Sequence, residues 1–246
     1  MSGHKLYLDS NENLGFDNSL LQTGENTTEN GYLQNEEALK YFKKKQSDWN
    51  SILVATAGAI ALGFLGLPIV AVFGSIGTLL SIDLSVPIDR IISVMEMLLD
   101  AFKEEGITIT PRVKTNNGTI DLLIRTNDGR YFVFLLRSNG DSRVKWREDR
   151  QQFYTVGKGR NSKWSRLELL GDELNRMMLS LKEEKNPLVA ISNSERKKAF
   201  TKAIVLTSKT RLDSNNDPER LVPFGRTIAL RMMGKSTYYL VDRANL

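Results

Sequence analysis

The chain has 246 residues, no cysteine and a single histidine, at position 4 in a polar tail. These counts exclude a disulfide framework, a thiolate nucleophile, a structural zinc site and any Ser-His-Asp triad. What is left for chemistry is carboxylates, Lys, Arg, Tyr and hydroxyls, under a formal net charge of +5. The charge is unevenly spread: residues 1–110 hold 14 acidic and 7 basic side chains, and the remainder hold 15 and 27. A basic half on an acidic one points to nucleic acid or an anionic membrane surface as partner; the alternative is an ordinary solvated Lys/Arg surface.

Residues 1–35 are dominated by Asn, Glu, Ser, Thr and Gly, too polar to offset their own ordering entropy, and read as a disordered or loosely docked tail. Residues 36–86 form the next unit. A short helix is expected from Glu36 to Trp49, passing through Lys43, Lys44 and Lys45. It is followed by 31 consecutive uncharged residues, Ile52 to Ile82. A bilayer span needs about 20 apolar residues, so this run exceeds one span and falls short of two. Gly66-Leu67-Pro68 breaks it near the middle, which favours two arms of roughly 21 Å each over one long helix. Small residues such as Gly58, Gly63, Gly74 and Gly77 would let the arms pack closely. The expectation is a membrane-inserted hairpin that keeps the lysines and the C-terminal domain on the cytoplasmic side. A single span, or a buried helical hairpin in a soluble core, are the alternatives. A signal peptide is not expected behind about 50 mostly polar residues.

From Pro87 the pattern turns amphipathic. Ile88, Ile91, Ile92, Met95, Leu98, Leu99 and Phe102 recur at helical spacing, and Gly106 ends the run. Three short runs rich in β-branched and aromatic residues lie between Ile107 and Ser138. Asn116-Asn117-Gly118 and Asn127-Asp128-Gly129 separate them, which predicts three strands joined by tight hairpins. Residues 141–150 are dense in both charges, and an irregular basic stretch follows around Lys158, Arg160 and Lys163. Its Gly157-Lys158-Gly159 lacks the spacing of a phosphate-binding P-loop. A second amphipathic helix carries Leu167, Leu170, Leu174, Met177, Met178 and Leu181, whose methionines read as core filling. Strands are then expected over residues 202–208, 227–232 and 238–242.

Helix, three antiparallel strands, helix and strand, with Gly118-Thr119-Ile120-Asp121 opening the second strand, resembles the PD-(D/E)XK nuclease superfamily over residues 87–246. The resemblance implies an α/β (α+β) domain of the restriction-endonuclease-like kind, with an αβββαβ core. It also implies a divalent-metal ligand at Asp121 and a Glu-x-Lys on the third strand, whose Glu would complete the metal site. Here the third strand reads Tyr131-Phe132-Val133-Phe134-Leu135-Leu136-Arg137-Ser138. With Arg137 at the Lys position, Leu135 stands where the second carboxylate belongs; a shift by one puts Phe134 and Leu136 there.

Three readings of Asp121 follow. It is the remnant of a catalytic site, now paired with Arg137 or another base; or part of a working Mg²⁺ site whose other groups have moved to Lys145, Glu148 or Gln152; or a strand-edge Asp unrelated to the family. The expected function is a membrane-anchored, catalytically degenerate module that binds nucleic acid or a protein partner and needs no cofactor. Lys158, Arg160, Lys163, Arg196, Lys197 and Lys198 are its candidate phosphate contacts. The alternatives are an active metal-dependent nuclease with a displaced site, or a membrane scaffold with a protein-interaction domain.

Overall fold

The computed structural model describes residues 27–28, 31–64, 88–157, 160–183, 186, 188–189, 200–224, 227–233, 236–243 and 246. Among these residues the protein is a mixed α/β structure dominated by sheet. Three helices are present: α1 (Asn35–Phe64), α2 (88–101) and α3 (Ser165–Glu183).

The hairpin signals place the first large element. Strands β3 (Ile107–Thr115), β4 (Gly118–Thr126) and β5 (Tyr131–Arg137) form an antiparallel meander, turning at Asn116-Asn117 and at Asn127–Gly129. Gly118 and Gly129 take positive φ at these turns, 128° and 75°, which a residue with a Cβ adopts only at a cost. After α3, β9 (Phe200–Leu206) returns parallel to β5, and β13 (Thr237–Asp242) lies parallel to β9. Antiparallel β12 (Thr227–Met233) and β11 (Leu221–Phe224) complete a seven-stranded sheet in the order β11-β12-β13-β9-β5-β4-β3. β9 begins two residues earlier and ends two residues earlier than the spacing predicts.

Alternation along the strands splits the core into two layers. Val133 and Leu135 of β5 face α3, whose Leu167, Leu170, Leu174, Met177, Met178 and Leu181 are all buried against that side. Phe134 and Leu136 face the other way, toward Ile88, Ile91, Ile92, Met95 and Leu98 of α2. Ala38, Leu39 and Phe42 of α1 share that second layer, so the first turns of α1 belong to the same core as α2. The Asn35 side chain fixes α1 to the sheet edge: its Nδ2 donates to Ile107 O at 2.9 Å and its Oδ1 accepts from the Ile109 N–H.

Two expectations change here. The helix expected over Glu36–Trp49 does not stop there but runs unbroken from Asn35 to Phe64, into the uncharged run. The polar tail is not unstructured to residue 35: β1 (Thr27–Thr28) pairs with β2 (Gly31–Tyr32), and Tyr32 packs on the α3-side core. An aromatic side chain with apolar cover outweighs the local polarity. No helix of the described residues is long and apolar enough to cross a membrane. The turn at Gly66-Leu67-Pro68 and the second arm of the expected hairpin lie outside the described residues.

A second sheet was hidden by its charges. Four strands, β6 (Ser142–Arg147), β7 (Gln152–Gly157), β8 (Arg160–Lys163) and β10 (Arg211–Leu212), assemble in the order β10-β6-β7-β8. Val144 and Phe153 are fully buried against α3, with Trp146 packed beside them.

Candidate nucleic-acid interface

Asp121 sits where β3 and β4 both change the face they give to the core. Ile120 and Val113 pair across the two strands and belong to the α3 side, whereas Leu122 and Ile109 belong to the α2 side. Arg112, the residue opposite Asp121, has φ 54°, in the left-handed region, and this single inverted residue resets the alternation. Backbone pairing between β4 and β5 stops at Leu122–Phe134. The Asp121 carboxylate fills the opening, with Oδ2 accepting the Leu136 N–H at 2.8 Å.

The remaining partners of Asp121 are arginines. Arg137 Nη1 donates to Oδ2 at 2.8 Å, and Arg112 Nη1 lies 3.5 Å from Oδ1. Arg90, from α2, is close enough for its guanidinium to sense both Arg137 and Asp121. Burial, and then Arg137, push its pKa below the ordinary value, with Asp121 and Asp89 acting in the opposite direction. By the β4–β5 register, Leu135 stands opposite Asp121 and is fully buried. A hard divalent cation wants several oxygens, and here it would meet one occupied carboxylate, a leucine and guanidinium groups. The residues around Asp121 do not fit Mg²⁺. Among the described residues, no group of three or more Asp, Glu or His side chains could hold a metal ion.

The groups named for a displaced site lie elsewhere. Glu148 is engaged by Arg220 and Gln151, and the Arg220 hydrogen bond holds its carboxyl below the usual range. Lys145 and Gln152 point outward from the small sheet. The structure brings neither them nor Glu148 to Asp121.

That small sheet assembles a surface that was only half legible. Because Val144, Phe153 and Thr155 turn inward, the alternate residues Arg143, Lys145 and Arg147 of β6 turn outward, facing Val156, Tyr154 and Gln152 of β7. Exposed Lys163 of β8 extends the row beside Tyr154, and Arg211 of β10 extends it beside Arg143. Two adjoining clefts of about 590 and 430 Å³ share Val156 as a wall; Lys145, Arg147 and Arg150 line one, and Arg143, Lys209 and Arg211 the other. Tyr154 is held by its neighbours: the Arg147 guanidinium lies 5.5 Å from the ring centre, and Arg150 Nη1 donates to the hydroxyl at 3.3 Å. Asp149 offsets part of the charge through Arg147 at 2.7 Å, and that hydrogen bond lowers the Asp149 pKa and raises that of Arg147.

Of the expected phosphate contacts, Lys163 lies on this face and Arg160 lies on β8, whereas Lys158, Arg196, Lys197 and Lys198 fall outside the described residues. Arg143, Arg147, Arg150 and Arg211 were missed. The signal that could have found them is the alternation of Ser142-Arg143-Val144-Lys145-Trp146-Arg147, an inward apolar row masked by the charges between. Comparison with protein-family models, with curated proteins and with solved structures finds no match for this chain.

Proposed function

We propose that this chain is a nucleic-acid-binding module of the restriction-endonuclease-like kind, catalytically inert and tethered to a membrane through residues 52–82. The observation that carries the binding is the outward face of the small sheet: Arg143, Lys145, Arg147, Lys163 and Arg211 on adjacent strands, with two clefts between them. Strand neighbours lie about 5 Å apart, so such rows match the spacing of successive phosphates and give affinity without reading sequence. The order α2, β3-β4-β5, α3, β9, with β9 parallel to β5, supports the nuclease-like architecture. The arginines around Asp121 support inertness, since a guanidinium stays protonated and cannot serve as a general base. The tether rests on the uncharged length of residues 52–82.

The test is binding of a fluorescent DNA or RNA duplex by the full chain across a salt series, beside Arg143→Glu/Lys145→Glu. Affinity should fall steeply with salt, and the double variant should flatten the slope by about two phosphate contacts. Absence of binding near 50 mM salt, where such contacts are strongest, would refute the reading. Binding of anionic vesicles in its place would move the same face to a membrane surface.

A further inference from the structure

We infer that Arg90, Arg112 and Arg137, gathered around Asp121, form a binding site for one phosphate group. Three guanidinium groups reach the site from three different elements, α2, β3 and β5, and meet a single carboxylate. The excess of two positive charges matches the nearly doubly negative charge of a phosphate monoester or inorganic phosphate near neutral pH. Donors remain to receive it. Arg137 uses Nη1 alone, on Asp121 Oδ2 and Leu136 O, among its hydrogen bonds to described residues. Arg90 has a buried Nε with no acceptor among the described residues.

A planar guanidinium fork presents paired N–H groups at the spacing of two phosphate oxygens, and several forks around one point make a phosphate clamp. The site is open to solvent, since the Arg112 and Arg137 side chains are 29% and 30% exposed, while Asp121 behind them is 12% exposed. Asp121 then has a definite part: it holds Arg137 in place beforehand, and its charge competes with the incoming anion. The inference does not rest on the small sheet, whose basic face lies on other residues.

The experiment is calorimetric titration of the full chain with inorganic phosphate at constant ionic strength, repeated with a 5′-phosphorylated and a 5′-hydroxyl oligonucleotide. One phosphate per chain is expected. Arg90→Gln should weaken it about tenfold or more, and Arg90→Lys, which keeps the charge but not the fork, should fall between. Asp121→Asn keeps an acceptor for the Leu136 N–H while removing the competing charge, so it should bind phosphate more tightly than the parent chain. A preference for the 5′-phosphorylated strand identifies a nucleic-acid end as the source; equal binding of both strands, with phosphate binding retained, identifies a free phosphate or a small phosphate ester. No binding up to about 10 mM phosphate, or unchanged affinity in both Arg90 variants, overturns the inference. Arg143→Glu/Lys145→Glu separates the two proposals, because it should abolish nucleic-acid binding and leave the phosphate titration intact.

Discussion

Arg112 and Asp121 face each other across β3 and β4 at the one point where both strands exchange the layers they feed. The left-handed backbone of Arg112 makes the exchange, and the carboxylate of Asp121 closes the opening it leaves beside β5. The pair is therefore part of the architecture of the sheet, whatever else it binds.

Removing the carboxylate should show this. Asp121→Ala leaves the Leu136 N–H without its acceptor and at least two guanidiniums without their counter-charge. A loss of roughly 2–3 kcal/mol in urea unfolding is expected. Asp121→Asn, which can still accept from Leu136, should lose less. Equal stability of Asp121→Ala and the parent chain would contradict this account.

Cleavage assays should be negative. With Mg²⁺ or Mn²⁺, the full chain is expected to leave DNA and RNA intact, because Leu135 and three arginines stand where further oxygen ligands would be needed. Cleavage by the parent chain that disappears in Asp121→Ala would establish a living metal site instead.

Gly171 tests how tightly α3 lies on the sheet. A Cβ there would come within 2.7 Å of Tyr238 Cζ on β13, closer than real contacts allow. Alanine gains about 1 kcal/mol of helix propensity over glycine, but overpacking a filled interface costs about 1–3 kcal/mol. Gly171→Ala should therefore destabilise the fold, and Tyr238→Leu in the same chain should recover part of the loss, as a non-additive double-mutant cycle.

Asp242 gives a pH dependence with a definite sign. Burial pushes its carboxyl above the ordinary value, with the Leu212 N–H and Arg211 only partly opposing. A folded-state pKa above the unfolded one favours folding at acid pH, and that advantage is lost as the pH rises through the folded-state value. Asp242→Asn is exempt from this loss. Relative to the parent chain it should be more stable near pH 7 than near pH 4, as read by urea midpoints at the two pH values.

Much of this molecule was legible because its signals are local. The apolar positions of α2 and α3 repeat at helical spacing, and the Asn/Asp-Gly turns fix where β3, β4 and β5 end. The small sheet was not legible, because only half of each strand is apolar and its inner row needs α3 to be seen as a row. The inversion at Arg112 left no trace at all: arginine carries no preference for positive φ, and the tertiary pairing with Asp121 holds it there. For the same reason the sequence suggested Arg137 as a partner for Asp121 but gave no sign of Arg90 or Arg112.

The small sheet is closed by residues far along the chain. Arg211 and Leu212 pair with Arg143 and Val144, Asp213 N–H donates to Val144 O, and Asn216 bonds both Val144 O and the Trp146 N–H. About 70 residues separate the two sides of each of these contacts. During vectorial synthesis β6 and β7 must therefore wait, with one edge unpaired, until the segment around residue 216 has left the ribosome. A nascent chain stalled before that point would carry most of the basic side chains of the face without the edge strand that aligns them. The protein would acquire its grip on a polyanion late, as one of the last acts of its folding.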